Sequence, residues 1–456
     1  MLLVESGAYV QAGPTEGAEP FEPGEAEAAE SKDRHPVRAA AALTLLAVAA
    51  GFAFSLWLMP AITGAHRWWV LQDVWPPMLA ARYVSSGALG YLYSADRWFV
   101  GMPLGPIVLG PASLAGDALR LTDSYRLPIP HPSMWLLYEP YAIVLCGAVL
   151  VAGRGLMQEV WMRAGLFARG LAPRHLWTQV GLMLLVLVPA AIVSGHHETV
   201  LGLACLLAGL RLAFAGRWRG AALWFGAAMG FDLWTMLGLP LLVAMAPGEQ
   251  RAGVVIRSVM VPIVLVALPF AVDPSETARA LLHPSSFPTV GHALPWIRRT
   301  AQPVGWGLGR FLALVPALAI AWWIRGRRDP VLVLAAFALV FLLRPLFEAV
   351  TFAYELCPAL ALLFLFERAR GRLGITTVVL GSGLMLGYLL HPDPLGWWAG
   401  TLAIATLLAW PAARQVVTRG ADDTPVEQVP LQSPAAAPAP APAVPAPAPA
   451  PATSLA

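Results

Sequence analysis

Charge is what this sequence has least of. Only 12% of its 456 residues are Asp, Glu, Lys or Arg, about half the ~25% usual in a soluble domain. Together with a 58% hydrophobic content, that excludes an ordinary water-soluble enzyme and predicts a polytopic membrane protein. Lysine is almost missing: Lys32 stands alone, and arginine carries the rest of the positive charge. Cysteine is scarce as well. Cys146, Cys205 and Cys357 each lie inside an apolar run, with no CxxC pair and no Cys/His cluster. A disulfide framework and a zinc site are therefore not expected. A P-loop, a dinucleotide fingerprint and a soluble nucleotide-sugar domain are absent too, which removes the common glycine-rich ways of holding a nucleotide phosphate.

What the sequence has instead is a long series of apolar runs between two polar ends. Residues 1–36 are acidic and rich in Gly, Pro and Glu, without the basic-then-apolar pattern of a cleavable signal peptide. The first apolar run, from Val37, is expected to act as an uncleaved signal anchor. Residues 416–456 pass into "APAPAPAVPAPAPAPA", which favours solvated polyproline II and builds no core. Both ends are expected to be disordered cytoplasmic tails around a membrane domain spanning 37–415.

About twelve segments are long enough, or nearly so, to cross a hydrocarbon layer of ~30 Å. They fall near 38–59, 135–153, 177–194, 198–215, 220–232, 233–247, 256–272, 306–324, 330–347, 352–367, 374–390 and 396–413. Arginine-bearing stretches such as "GRWRG", "RGRRD" and "ERARGR" alternate with loops poorer in basic residues. Placing the basic stretches inside puts both termini in the cytoplasm. The alternation holds only if residues 220–247 form two short helices meeting near Asp232, and "MGFDLWTMLGLP" has the glycines and the charge of such a break.

This parity leaves two sizeable outer loops, 61–134 and 273–305. The first contains "WWVLQDVWPPMLAARYVSSGALGYLY". Pro76 and Pro77 suit a first helical turn, and Met78, Ala81, Arg82, Ser85 and Leu89 follow at helical spacing. A second stretch, "DRWFVGMPLGPIVLGPASLAGDAL", is aromatic and apolar. Both predict amphipathic helices lying in the membrane interface, and Asp73 presents a carboxylate beside them.

These residues carry a resemblance. A membrane-proximal Asp opening the first outer loop, followed by an "AAR…G…LY" helix, resembles the GT-C glycosyltransferases, and most closely the bacterial polyprenyl-phosphate-mannose-dependent α-mannosyltransferases. "SGHHETVLGLACLLAGLRLAFAGRWRGAALWFGAAMGFDLW" resembles that family's Gly-His-Pro-Glu turn, next helix, basic inner loop and broken helix. "LLRPLFEAVTFAYELCPALAL" resembles its late Arg-Pro segment. Together they touch most of residues 40–370. His197 stands where the family often has proline, and Asp232 where relatives often carry a basic residue. The resemblance implies an all-α GT-C-like fold in the cytoplasmic membrane. It also implies transfer of a hexose, mannose by analogy, from a polyprenyl-phosphate donor to a glycolipid or glycan acceptor. The alternative from another class is a membrane carrier or lipid flippase, where broken helices and intramembrane charges also occur.

Such a transfer needs a base for the acceptor hydroxyl and cations for the departing phosphate. Asp73 is the expected base, or else an N-cap. His283, His292, Arg298 and Arg299, in "HPSSFPTVGHALPWIRR", and Arg344 are the expected phosphate ligands, because the guanidinium fork matches phosphate oxygens. The plainer alternatives are a lipid-headgroup face for Arg298 and Arg299 and a structural pair with Glu348 for Arg344. His196, His197 and Glu198 are read as a turn that caps a helix and orders the acceptor rather than as a metal site. Asp232 is read as binding sugar hydroxyls or capping a half-helix. No cofactor and no nucleic-acid partner are expected; a requirement for a divalent metal is left open.

Overall fold

In a computed structural model, residues 74–95, 101–120, 132–163, 196–282, 313–327, 329–344 and 356–372 are described, with isolated positions elsewhere. Among them every regular element is a helix and no strand occurs. The helices of seven residues or more are α1 (Trp75–Ser85), α2 (Leu104–Ala118), α3 (Pro132–Arg163), α4 (His197–Phe214), α5 (Trp218–Phe231), α6 (Leu239–Met245), α7 (Arg251–Val272), α8 (Pro274–Leu282), α9 (Leu314–Trp323), α10 (Pro330–Leu343) and α11 (Cys357–Ala369). Among the described residues three segments are long and apolar enough to cross a membrane: Tyr141–Arg163, His197–Phe214 and Gly248–Val272. The chain is thus a helical, membrane-associated protein.

Two helices show what the apolar composition is for. α10 is apolar on every side, and all its residues but Leu343 are buried; a helix of that kind belongs in a core. Its start is set locally: Asp329 accepts the Val331 N–H at 3.0 Å, and Pro330 fills a first-turn position whose N–H would be unpaired anyway. α7 is the opposite case. Beyond Ser258 it is wholly apolar too, yet Ile263, Val264, Leu268 and Phe270, with Ile256 before them, are exposed. A continuous exposed apolar face on a spanning-length helix suits lipid tails, not water.

Small residues bring the helices together. α5 packs between α4 and α7. A Cβ at Gly226 would lie 2.7 Å from Val261 Cγ2 and 2.8 Å from the Ser258 carbonyl. Ser258 in turn donates a hydrogen bond to the Ala222 carbonyl at 3.0 Å, so α5 and α7 are in near backbone contact, as small-residue interfaces allow in membranes. Gly226→Ala is expected to cost about 1–3 kcal/mol by overpacking, read as a lower thermal midpoint in detergent. An unchanged midpoint would show that the two helices separate freely.

The expected helices of 61–134 are present where described. α1 covers the predicted register: Met78 and Ala81 are buried, while Arg82 sits at the rim. Leu89 falls in a separate helical turn, because Gly87 takes φ +80° and ends the run. α2 places Gly105, Leu109, Ala112, Ser113 and Gly116 on its buried side and lies against α1, with Arg82 Nε 3.5 Å from Asp117 Oδ1. The N-terminus of α2 wedges between α4 and α5: Leu104 approaches Gly230, and Gly105 faces His197 and Glu198. Beneath this region Tyr93 stacks on Phe99 with centroids 5.9 Å apart and donates to the Gly101 carbonyl at 3.0 Å. Burial pushes the Tyr93 phenol well above its usual range, so it remains a donor. Tyr93→Phe is expected to lower stability by about 1 kcal/mol, measurable by thermal unfolding.

Candidate functional site

The chain breaks at Asp232, as the glycines and the charge of 229–240 predict. α5 stops at Phe231, Asp232 is extended (φ −138°, ψ 109°), and a 3-10 turn runs over Leu233–Gly238 before α6. The freed backbone groups are taken up on the spot. Asp232 Oδ1 accepts the Trp234 N–H at 3.2 Å. The Ala228 carbonyl accepts both the Asp232 N–H at 2.9 Å and the Thr235 hydroxyl at 3.4 Å. Non-helical backbone inside an apolar bundle persists only when its polar groups are satisfied this way.

The second oxygen of Asp232 looks elsewhere. Oδ2 accepts the Thr199 hydroxyl of α4 at 3.4 Å and lies 3.8 Å from Arg344 Nη1, just past the end of α10. At that length the contact with Arg344 is an ion pair rather than a hydrogen bond. Arg344 is buried, and its Cζ stands 5.0 Å from the centroid of the Trp234 ring, within cation–π range. Three separate helical segments therefore bring a carboxylate, a hydroxyl, an indole and a guanidinium together.

Next to this group, at the head of α4, sit His196, His197 and Glu198. Glu198 Oε1 lies 3.3 Å from His196 Nδ1, and Oε2 lies 2.9 Å from His197 Nδ1. The His197 ring is buried and meets Tyr138 edge-on, with centroids 6.4 Å apart. An acidic residue in a first helical turn also complements the helix dipole. His196 occupies the N-cap position without a side-chain cap bond, so the expected capping turn is present in position but not in hydrogen bonding. Among the described residues no group of three or more His, Cys, Asp or Glu side chains could hold a metal ion.

Of the residues singled out from sequence, Asp232 is brought together with Arg344, and His196 and His197 with Glu198. Thr199, adjacent to Glu198 and bonded to Asp232, links the two groups. Asp73, His283, His292, Arg298, Arg299 and Glu348 lie outside the described residues. The N-cap position of α1 falls on Val74, one residue after Asp73. Sequence reasoning missed Thr199 and Trp234. Thr199 carries no signal of its own, whereas Trp234, directly after the charge at the break, was legible as part of it.

No family model matches the sequence, and no curated protein or solved structure is significantly similar to it.

Proposed function

We propose that this chain is an integral membrane glycosyltransferase that moves a hexose from a polyprenyl-phosphate sugar to a glycolipid or glycan acceptor at the outer face of the cytoplasmic membrane. The observation that carries the reading is the buried Arg344, held beside Asp232 at a broken helix. Arg344 caps the end of an apolar, buried helix, where a cation needs a partner or a polar cavity, and a phosphate-recognising role gives that burial a purpose.

In the reaction the acceptor oxygen bonds to the anomeric carbon while the bond from that carbon to the phosphate oxygen breaks. The phosphate leaves with the electron pair, and the acceptor proton passes to a carboxylate. A phosphate monoester, with a second pKa near ~6, needs no strong general acid to leave. What it needs is preorganised positive charge, supplied by Arg344 together with Arg298, Arg299, His283 and His292. Asp73 is the base. The rest of the architecture goes with this reading: about twelve crossings, a GT-C-like fold and both termini inside.

The decisive experiment is a transfer assay with purified full-length protein, a polyprenyl-phosphate sugar and membrane glycolipids. Release of polyprenyl phosphate in step with a glycosylated product is expected; transbilayer movement of the lipid without product would make the protein a carrier. Arg298→Ala and Arg299→Ala are each expected to raise the donor KM about tenfold, the worth of a charged hydrogen bond, with thermal stability unchanged. If donor use is unaltered in both, these arginines only meet headgroups. For topology, single cysteines introduced at Ala65 and Pro288 should react with an outside-only reagent and one at Ala215 should not. Protection at Pro288 in intact cells would separate the second loop from Asp73 and sink the arrangement.

A further inference from the structure

The transfer chemistry leaves one set of side chains without a task. His197 is 1% exposed, and neither of its ring nitrogens has a hydrogen-bond partner. Nδ1 is 2.9 Å from Glu198 Oε2, within donor–acceptor distance though off the alignment of a full hydrogen bond, and Oε2 is also without one. Nε2 points at Gly105 on α2, where an added Cβ would come within 3.2 Å of it. Unsatisfied buried polar atoms are costly, so this ring is not explained by packing. It is aimed at a carboxylate.

That carboxylate has a neighbour. Glu198 and Gly202 are four residues apart on α4 and share a face, with Cβ positions about 5–6 Å apart. A Cβ at Gly202 would lie 3.3 Å from Asp232 Cβ. The Glu198 and Asp232 side chains thus stand along one side of the first turns of α4, on the order of 6–9 Å apart by helix geometry. The two side chains keep 19% and 15% exposure, although Glu198 Oε2 itself is buried and Oε1 is bonded to His196, while His197 and Thr199, which touch them, are buried.

We propose that Glu198 and Asp232 form a shelf for the hydroxyls of the donor's sugar ring, with His197 as the positioning residue that aims Glu198 and Gly105 leaving room for the His197 ring. This rests on the glycosyl-transfer reading and adds a specificity to it. Ionised carboxylates are pure acceptors, and two of them at about one ring's span take the donor hydroxyls of a polyol. They repel an anionic sugar, because like charges brought together cost several kcal/mol. Asp232 also touches Arg344, the proposed phosphate ligand, so the ring on the shelf is the one still attached to phosphate. The sugar admitted is a neutral hexose; a hexuronate is refused.

The test uses full-length protein in nanodiscs and three probes: polyprenyl phosphate, its neutral hexose conjugate and its hexuronate conjugate. Wild type is expected to bind the hexose lipid at least about tenfold more tightly than the hexuronate lipid. Glu198→Gln should weaken the hexose lipid about tenfold, close most of the gap to the hexuronate, and leave bare polyprenyl phosphate within about twofold. His197→Phe, which keeps the ring volume without a donor, should raise the donor KM similarly at unchanged kcat. His197→Asn, which keeps a donor near Nδ1, should restore it. Equal binding of hexose and hexuronate lipids by wild type overturns the shelf while leaving the transferase intact. So does a Glu198→Gln effect confined to the acceptor KM, or hexose binding that requires added Mn2+ and is lost with EDTA. A Phe variant with wild-type KM removes His197 from it. Failure of wild type to bind any of the three lipids overturns the glycosyl-transfer reading itself.

Discussion

Asp73→Asn is expected to fold, express and bind donor like wild type while turning over about 10²–10⁴-fold more slowly. The substitution keeps the shape of the side chain and removes its capacity to accept a proton, the one property a general base requires. It also keeps helix-capping ability, since Asn caps about as well as Asp. The comparison variant is Asp73→Ala. The N-cap position of α1 falls on Val74, which makes no side-chain cap bond, and helix ends shift by a residue between criteria. If the carboxylate serves that first turn, the Ala variant is less stable than the Asn variant by about 0.5–2 kcal/mol. If it serves only the chemistry, the two are equally stable and equally slow. Full transferase activity in the Asn variant would falsify the catalytic role and leave Asp73 as part of the helix start.

Local features of this fold were legible in the sequence because their causes are local. Pro76 and Pro77 announce α1, and the glycines and charge of "MGFDLWTMLGLP" announce the break at Asp232. Leu89 was assigned to the same helix as Met78 because spacing alone does not reveal that Gly87 adopts a positive φ. Partnerships across the bundle were beyond reach for a different reason. Glu348, four residues on from Arg344 and the natural pairing for a helix, lies outside the described residues, while the structure sets Arg344 beside Asp232. Nothing in hydropathy or spacing encodes that contact, which depends on how α5, α6 and α10 stack. His197 is similar. Its burial depends on the absence of a side chain at Gly105, on a helix that comes much earlier in the chain.

The Asp232–Arg344 pair supplies the second large effect. Removing one partner of a buried ion pair strands the other charge and typically costs about 3–5 kcal/mol, while replacing both with apolar groups is often close to neutral. Arg344→Met is expected near the lower end of that range, because the Thr199 hydroxyl and the Trp234 N–H still attend Asp232. Asp232→Leu removes the carboxylate beside Arg344 while its cation–π contact to Trp234 stays, and also removes the cap of the turn that follows. The double variant Asp232→Leu/Arg344→Met is expected to be more stable than the sum of the single losses predicts, by about 0.5–3 kcal/mol. Transfer activity should behave differently. No apolar replacement offers charge to a leaving phosphate, so the double variant remains inactive even where its unfolding midpoint recovers. Arg344→Lys is the intermediate case: it retains the charge and loses the planar fork, so stability stays near wild type while donor KM rises. The outcome to watch is the double variant. Transferase activity that returns together with stability would make Arg344 a structural cation only and place the phosphate site entirely on the second outer loop.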